Sequence, residues 1–261
     1  MCVLALAWKT HPHWQLVLAA NRDEFHRRPA AAARPWSDAP VLGGRDLQAG
    51  GSWLACDGHG RLAAVTNVRD PAAPAGGPSR GALPGAFLQA DQSPATFVER
   101  LQAHATGFAP FNLIAADRQQ AVWLGNHPLQ HRLLTPGIHG LSNAALDAPW
   151  PKTEQLRQAV ANWCTAGIDA LAPLWDALGD ERQPPDSTLP DTGIGLTLER
   201  TLAPVFLRGP AYGTRASTVV LIDARGRGRL HERRFGPDGI PTGSSDWCFD
   251  GQGTVLPWPG K

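Results

Sequence analysis

The chain has 261 residues, 43% apolar and 18% charged, with a formal net charge of +1 and ten Trp against a single Tyr. That leaves ample material for a large core, and no Lys/Arg stripe marks a nucleic-acid or acidic-membrane partner. No apolar run approaches the roughly 20 residues of a membrane span, and the opening run is broken by Lys9, so no transmembrane segment or signal peptide is expected and the expected location is cytoplasmic.

Cys2–Trp8 opens the chain as an apolar strand headed by a thiol. Cys is small enough that Met1 is normally trimmed, which would give Cys2 a thiol and an α-amine together. The amine titrates near ~8 and the thiol near ~8.5, so the residue is a self-contained nucleophile and base. The position equally suits a small buried residue at a strand start. Cys56, Cys164 and Cys248 are far apart and lack a C-x-x-C pair, which argues against a zinc site or a disulfide scaffold and for reduced packing residues.

A short turn leads to a second apolar run, 14–21, close enough to pair antiparallel with the first. Residues 22–50 are rich in Pro, Ala and Gly and are expected to be irregular. Strands are predicted over 51–57 and 61–67, followed by a loop at 69–80 long enough to form a lid over a substrate. A short helix at 81–91 and a second at 95–105 follow, the latter capped by Ser93-Pro94. Residues 111–117 and 120–126 read as a hairpin and 137–143 as a further strand. The longest helical pattern starts at Trp150-Pro151-Lys152 and buries Leu156, Val160, Trp163 and Cys164. Helix 169–178, a polar loop at 179–200, a hairpin of 216–223 with 229–235, and a tail at 236–261 wrapping the surface complete the reading.

Strands that arrive in hairpins, with paired helices between them, exclude a doubly wound parallel sheet. The α+β class is expected, as a four-layer αββα sandwich of two antiparallel sheets flanked by helices, in one domain over 1–261.

Asn21-Arg22-Asp23-Glu24 matches the signature of the NRDE family, the family of the transport and Golgi organisation proteins. Matching stretches run the length of the chain, among them Met1-Cys2, Gly43-Gly44-Arg45-Asp46, Gly50-Gly51-Ser52-Trp53-Leu54, Val65-Thr66-Asn67, Ser79-Arg80-Gly81, Gly140-Leu141-Ser142-Asn143, Trp150-Pro151-Lys152 and Tyr212-Gly213-Thr214-Arg215-Ala216-Ser217-Thr218. The family resembles a branch of the amino-terminal-nucleophile (Ntn) hydrolases, whose cysteine members, such as penicillin V acylase and bile-salt hydrolase, cleave amides. Members of the NRDE family itself are linked to haem trafficking and to lipid and Golgi homeostasis.

The resemblance implies a site. Cys2 is the implied nucleophile, with Arg22 favouring its thiolate and Asp23 holding its α-amine. The relatives separate the Arg and Asp by a spacer, whereas here they are adjacent and point to opposite faces of a strand; the other reading is a salt bridge closing the 22–50 loop. Asn67 and Asn143 occupy the oxyanion and substrate-amide positions, although Asn also commonly ends strands for its turn chemistry. Arg215 resembles the late Arg of the hydrolases, or else pairs with a surface carboxylate. No required cofactor and no metal site is expected. The histidines at 11, 13, 59, 127, 131 and 139 are scattered, and one of them as an axial ligand would suit haem as a carried ligand. The function implied is hydrolysis of an amide or thioester in a small acyl substrate. The alternative is a carrier of haem or of an amphipathic, lipid-like ligand, held in a Trp-rich, Pro-rich groove with a single polar end.

Overall fold

In the computed structural model, which describes residues 2–73 and 76–259, β1 (Cys2–Trp8) and β2 (Leu16–Phe25) form an antiparallel pair. Both are buried almost throughout because each face is covered by a different layer. Val3, Ala5 and Ala7 pack beneath helices, while Leu4, Leu6 and Trp8 face a second sheet. The second strand runs past residue 21 to Phe25, so Arg22 and Asp23 lie within the strand and not at its end.

One sheet is a simple meander of β3 (Ala30–Pro35), β4 (Leu42–Asp46), β5 (Leu54–Cys56), β6 (Leu62–Asn67), β7 (Phe111–Ala116), β8 (Ala121–Asn126) and β9 (Leu129–Leu133). The other has the order β10-β1-β2-β11-β12-β13-β14, adding β10 (Gly137–Leu141), β11 (Tyr212–Ile222), β12 (Arg227–Phe235), β13 (Pro241–Asp250) and β14 (Val255–Pro257). Every pairing in both sheets is antiparallel.

Three apolar layers hold the molecule together. The central one lies between the sheets, with Leu6, Leu18, Val220 and Phe249 meeting Leu42, Leu54, Leu62, Ile114 and Trp123. Outside the first sheet, α3 (Pro151–Ala166) and α4 (Ala172–Leu178) bury Leu156, Val160, Trp163, Leu174 and Leu178 on Val17, Val219 and Leu221. Outside the second, α1 (Ala82–Gln89) and α2 (Pro94–Gln102) bury Leu83, Phe87 and Val98 on Val65, Phe111 and Leu113. The order of layers is therefore αββα. Ser93 caps α2 by accepting from the Thr96 N–H at 3.2 Å, and α3 stops at Gly167, whose φ of 60° favours glycine.

The structure corrects four expectations. Residues 22–50 are not irregular: they hold the end of β2 together with β3 and β4. The 51–57 strand shrinks to Leu54–Cys56. Within the 179–200 loop a short helix begins, α5 (Leu196–Thr201). The tail does not wrap the surface but adds β13 and β14 to the first sheet; residues 260 and 261 lie outside the described residues. Among the described residues no helix is long and apolar enough to cross a membrane.

Candidate active site

Cys2 pairs in register with Arg22, and directly opposed residues on neighbouring strands share a face. Both side chains therefore stand on the inter-sheet face, at the end of the central core. Beyond them opens a cavity of about 340 Å³ lined by Cys2, Arg22, Asp23, Trp53, Asn67 and Arg80, among others. The far wall comes from the second sheet and the loop before α1. Residues 76–80 of the expected lid line this cavity; residues 74 and 75, and the Met1 of the Met1-Cys2 start, lie outside the described residues.

Burial pushes the Cys2 thiol up, and the negative charge of Asp23 adds to this. The Arg22 guanidinium and the Asp23 backbone N–H, which donates to the sulfur, work the other way. Arg22 is only 6% exposed. Its guanidinium lies 4.4 Å from the Trp53 ring centroid and 3.7 Å from Asp46, which Arg28 engages more closely at 2.6 Å. Arg22 thus both flanks the thiol and ties β2 to the end of β4.

Asp23 faces the helix side. It accepts a hydrogen bond from Thr214 Oγ1 at 2.8 Å, and burial pushes its carboxyl up, with the nearby Lys152 ammonium the largest opposing influence. Lys152, in the first turn of α3, is 2% exposed and donates to the Leu202 carbonyl at 3.1 Å. Burial brings its pKa down to about 8 even though Asp23 and Cys2 favour the charged form.

The two asparagines are neighbours but not equivalents. Asn143 is wholly buried, and its Nδ2 donates to the Asn67 backbone oxygen at 2.9 Å and to Asn67 Oδ1 at 3.1 Å. Asn67 lines the cavity. With Oδ1 occupied as an acceptor, its amide nitrogen is the donor that remains for a ligand. Ser142 Oγ donates to the Cys2 carbonyl at 2.8 Å and the Ser142 carbonyl accepts from Thr66 Oγ1 at 2.7 Å, fastening β1 to β6 beside the site.

Arg215 is placed elsewhere. A bulge between Thr214 and Ala216 in β11 reverses the alternation of faces, and Arg215 is the extra residue. Its Nη1 donates to the carbonyls of Phe25 and Arg28, and it lines a separate 190 Å³ cavity on the other side of Arg22 and Trp53. None of the six scattered histidines lines the Cys2 cavity, and the described residues contain no cluster of three or more His, Cys, Asp or Glu placed to hold a metal ion.

A model of the family described as "Transport and Golgi organisation 2" matches residues 1–237. The chain belongs to the transport and Golgi organisation 2 family. The homolog from Bos taurus is 36% identical over 255 residues, covering 89% of this chain and 92% of that protein. The Homo sapiens homolog is 35% identical with the same coverage, and the Drosophila melanogaster protein is 28% identical, covering 87% and 89%. Among solved structures, the Caenorhabditis elegans ortholog of N-acylethanolamine-hydrolyzing acid amidase superposes with a TM-score of 0.51 at 10% identity, covering 85% of this chain and 93% of that one. At that identity the likeness is one of fold: this family member has the Ntn-hydrolase sandwich.

Two residues escaped the reading of the sequence as parts of the site. Lys152 and Arg80 both sit in stretches that carried the family resemblance, yet a lysine in a first helical turn and an arginine in a loop ordinarily read as solvated. The signal that distinguishes Lys152 is the apolar run of Leu156, Val160 and Trp163 beyond it, which seats the start of α3 on the sheet.

Proposed function

We propose that this protein is an N-terminal-cysteine hydrolase that cleaves an amide or thioester bond in a small acyl substrate. The observation that carries the reading is the position of Cys2, whose sulfur borders a cavity shared with a guanidinium and an asparagine donor in a fold that also serves an amidase. Once Met1 is removed, the Cys2 α-amine takes the thiol proton and the sulfur adds to the carbonyl carbon. The Asn67 amide is suited to donate to the developing oxyanion. As the C–N or C–S bond breaks, the proton passes to the leaving group, and water then releases the acid and restores the thiol. Asn143 serves by orienting Asn67, and the Asp23–Lys152 couple by setting the field behind the sulfur.

The same cavity can be read as the binding site of a carrier of haem or a lipid-like ligand. Its lining weighs against that reading, because it presents three guanidiniums and three carboxylates and few apolar side chains. Haemin titration separates the two, since a carrier gives a saturable Soret shift that a hydrolase need not show.

The deciding experiment joins mass and rate. Intact mass reports whether Met1 is absent, and turnover of a panel of acyl amides and thioesters is compared in wild type, Cys2→Ser and Cys2→Ala. We expect Cys2→Ser to lose most turnover and Cys2→Ala all of it. Retention of Met1 in the purified protein, or an unchanged rate in Cys2→Ala, would sink the proposal.

A further inference from the structure

The charges around the Cys2 cavity do not cancel. Arg28 is paired with Asp46 at 2.6 Å, and Arg22 stands 3.9 Å from Glu24 and 3.7 Å from Asp46, so two cations meet two anions. Asp23 is met by Thr214 and by the Lys152 ammonium. Arg80 is left over. Its Nη1 donates to the Pro110 carbonyl at 2.8 Å, which anchors the side chain, but among the described residues no carboxylate pairs with it. Cys2 and, more weakly, Glu24 act on its charge without forming an ion pair, while burial and Arg28 oppose it, and it lines the same cavity. A second donor is also unspent: Arg22 Nη1 is buried and has no hydrogen-bond partner.

A half-buried guanidinium with no close ion-pair partner among the described residues is costly unless something supplies one, and its planar fork matches a carboxylate. We propose that the cavity recognises a carboxylate carried by its substrate, with Arg80 supplying the charge and Arg22 standing beside it in the same lining. This rests on the reading that the cavity binds an acyl substrate, and it narrows the substrate class to acylated amino acids and half-amides of dicarboxylic acids, in which a carboxylate lies a few bonds from the scissile carbonyl. The sign and size of the imbalance choose among anions. One uncompensated cation suits a monoanion, whereas a phosphate monoester carries about −1.5 to −2 at neutral pH and would bring excess negative charge beside Glu24 and Asp46.

The test uses two small alkylating reagents on the full-length protein. Iodoacetate and iodoacetamide react by the same displacement, in which the thiolate forms an S–C bond as the C–I bond breaks and iodide leaves. They differ only in carrying a carboxylate or a neutral amide. The ratio of their rates at one pH is independent of the thiolate fraction, so a change that merely shifts the thiol's titration leaves the ratio unmoved, and the Arg80→Lys variant controls for a change that loosens the fold. Rates at Cys2 are read by peptide mapping, with half-exposed Cys248 as the internal reference.

We expect the iodoacetate-to-iodoacetamide ratio at Cys2 to exceed that at Cys248 by about tenfold, the scale of one charged hydrogen bond. It should fall to the reference in Arg80→Gln and persist largely in Arg80→Lys. An equal ratio at both cysteines, a ratio indifferent to Arg80→Gln, or failure of both reagents to reach Cys2 overturns the carboxylate site. Because no turnover is measured, the two proposals fail separately. Preference for iodoacetate without hydrolysis of any carboxyl-bearing amide keeps the anion site and sinks the hydrolase. Cys2-dependent hydrolysis of neutral amides without that preference does the reverse.

Discussion

Lys152 is the residue whose chemistry is most changed by its place in the fold. A lysine whose pKa falls from its ordinary 10.5 to about 8 binds fewer protons folded than unfolded between those two values. Its contribution to stability therefore rises with pH across that window and is most unfavourable below pH 8. At about 1.4 kcal/mol per unit, the stability of wild type minus that of Lys152→Met should grow by about 2 kcal/mol between pH 8 and pH 9.5, measured by guanidinium unfolding. A flat difference would mean that the ammonium is solvated. Comparison with the variant is needed because the Cys2, Cys56 and Cys164 thiols, all pushed up by burial, slope the opposite way in both proteins. Lys152 was visible in the sequence as part of Trp150-Pro151-Lys152, but its burial was not. That burial depends on α3 lying hard against β10 at Gly140, where any Cβ would come 2.4 Å from Thr153 Cγ2 and from the Arg157 stem. Arg215 shows the converse, a residue whose sequence neighbours were right and whose direction was reversed by one bulge that alternation alone cannot reveal.

At the scale of elements, the short helix α5 is held by a side chain more than by its own turns. Six residues cannot sustain a helix alone, and Leu196 and Leu198 point outward, about half exposed. Glu199 instead turns inward, pairing with Arg69 and accepting from the Thr192 N–H and hydroxyl. Replacing Glu199 with Ala breaks a buried pair, a change worth about 3–5 kcal/mol. We expect Glu199→Ala to speed tryptic cleavage at Arg182 and Arg200 well before global unfolding; an unchanged cleavage pattern would show that packing alone holds the segment. The wall of the Cys2 cavity rests on a different contact, the approach of Gly51 to the Gly81 carbonyl, where a Cβ would lie 2.1 Å from the oxygen. Gly51→Ala should cost about 1–3 kcal/mol by thermal denaturation and displace Arg80 with the start of α1. Two of the strands missed in the sequence, β3 and β4, have no β-branched or aromatic side chain to announce them. In β3 the run Ala30–Pro35 has no branched or aromatic residue, and it is a strand because Glu232 Oε1 accepts the Ala33 N–H and Trp247 Nε1 donates to the Ala33 carbonyl. Both partners lie about 200 residues away in the chain. The hairpin β1–β2 was legible because its own apolar run specifies it.

For the molecule as a whole, the part beyond residue 237, where the family match ends, is structural and not decorative. β13 pairs along β12 from Arg227 to Phe235, and β14 closes on β13. Phe249 enters the central core between the sheets, with partly buried Trp247 and Val255 packed against it. Trp247 also reaches across to β3 through its 2.8 Å bond to Ala33, so the tail staples one sheet to the other. A Pro- and Gly-rich composition reads as a surface wrap because turns and strands cannot be told apart there without the partner strand. The energetics follow from burial: Phe249→Ala should cost about 3–5 kcal/mol, a large share of the roughly 5–15 kcal/mol that holds a typical domain. Ending the chain at residue 240 removes Trp247, Phe249 and Val255 together, uncovers Leu230 and leaves β12 as an unpaired edge. We expect that truncation to abolish the cooperative unfolding transition. Cys248→Ser, on the half-exposed face of the same strand, should shift stability by no more than about 0.5 kcal/mol. A truncated protein that unfolds at the wild-type denaturant midpoint would mean that the two sheets are held by their central strands alone, and that the tail's aromatic residues cover a core already closed.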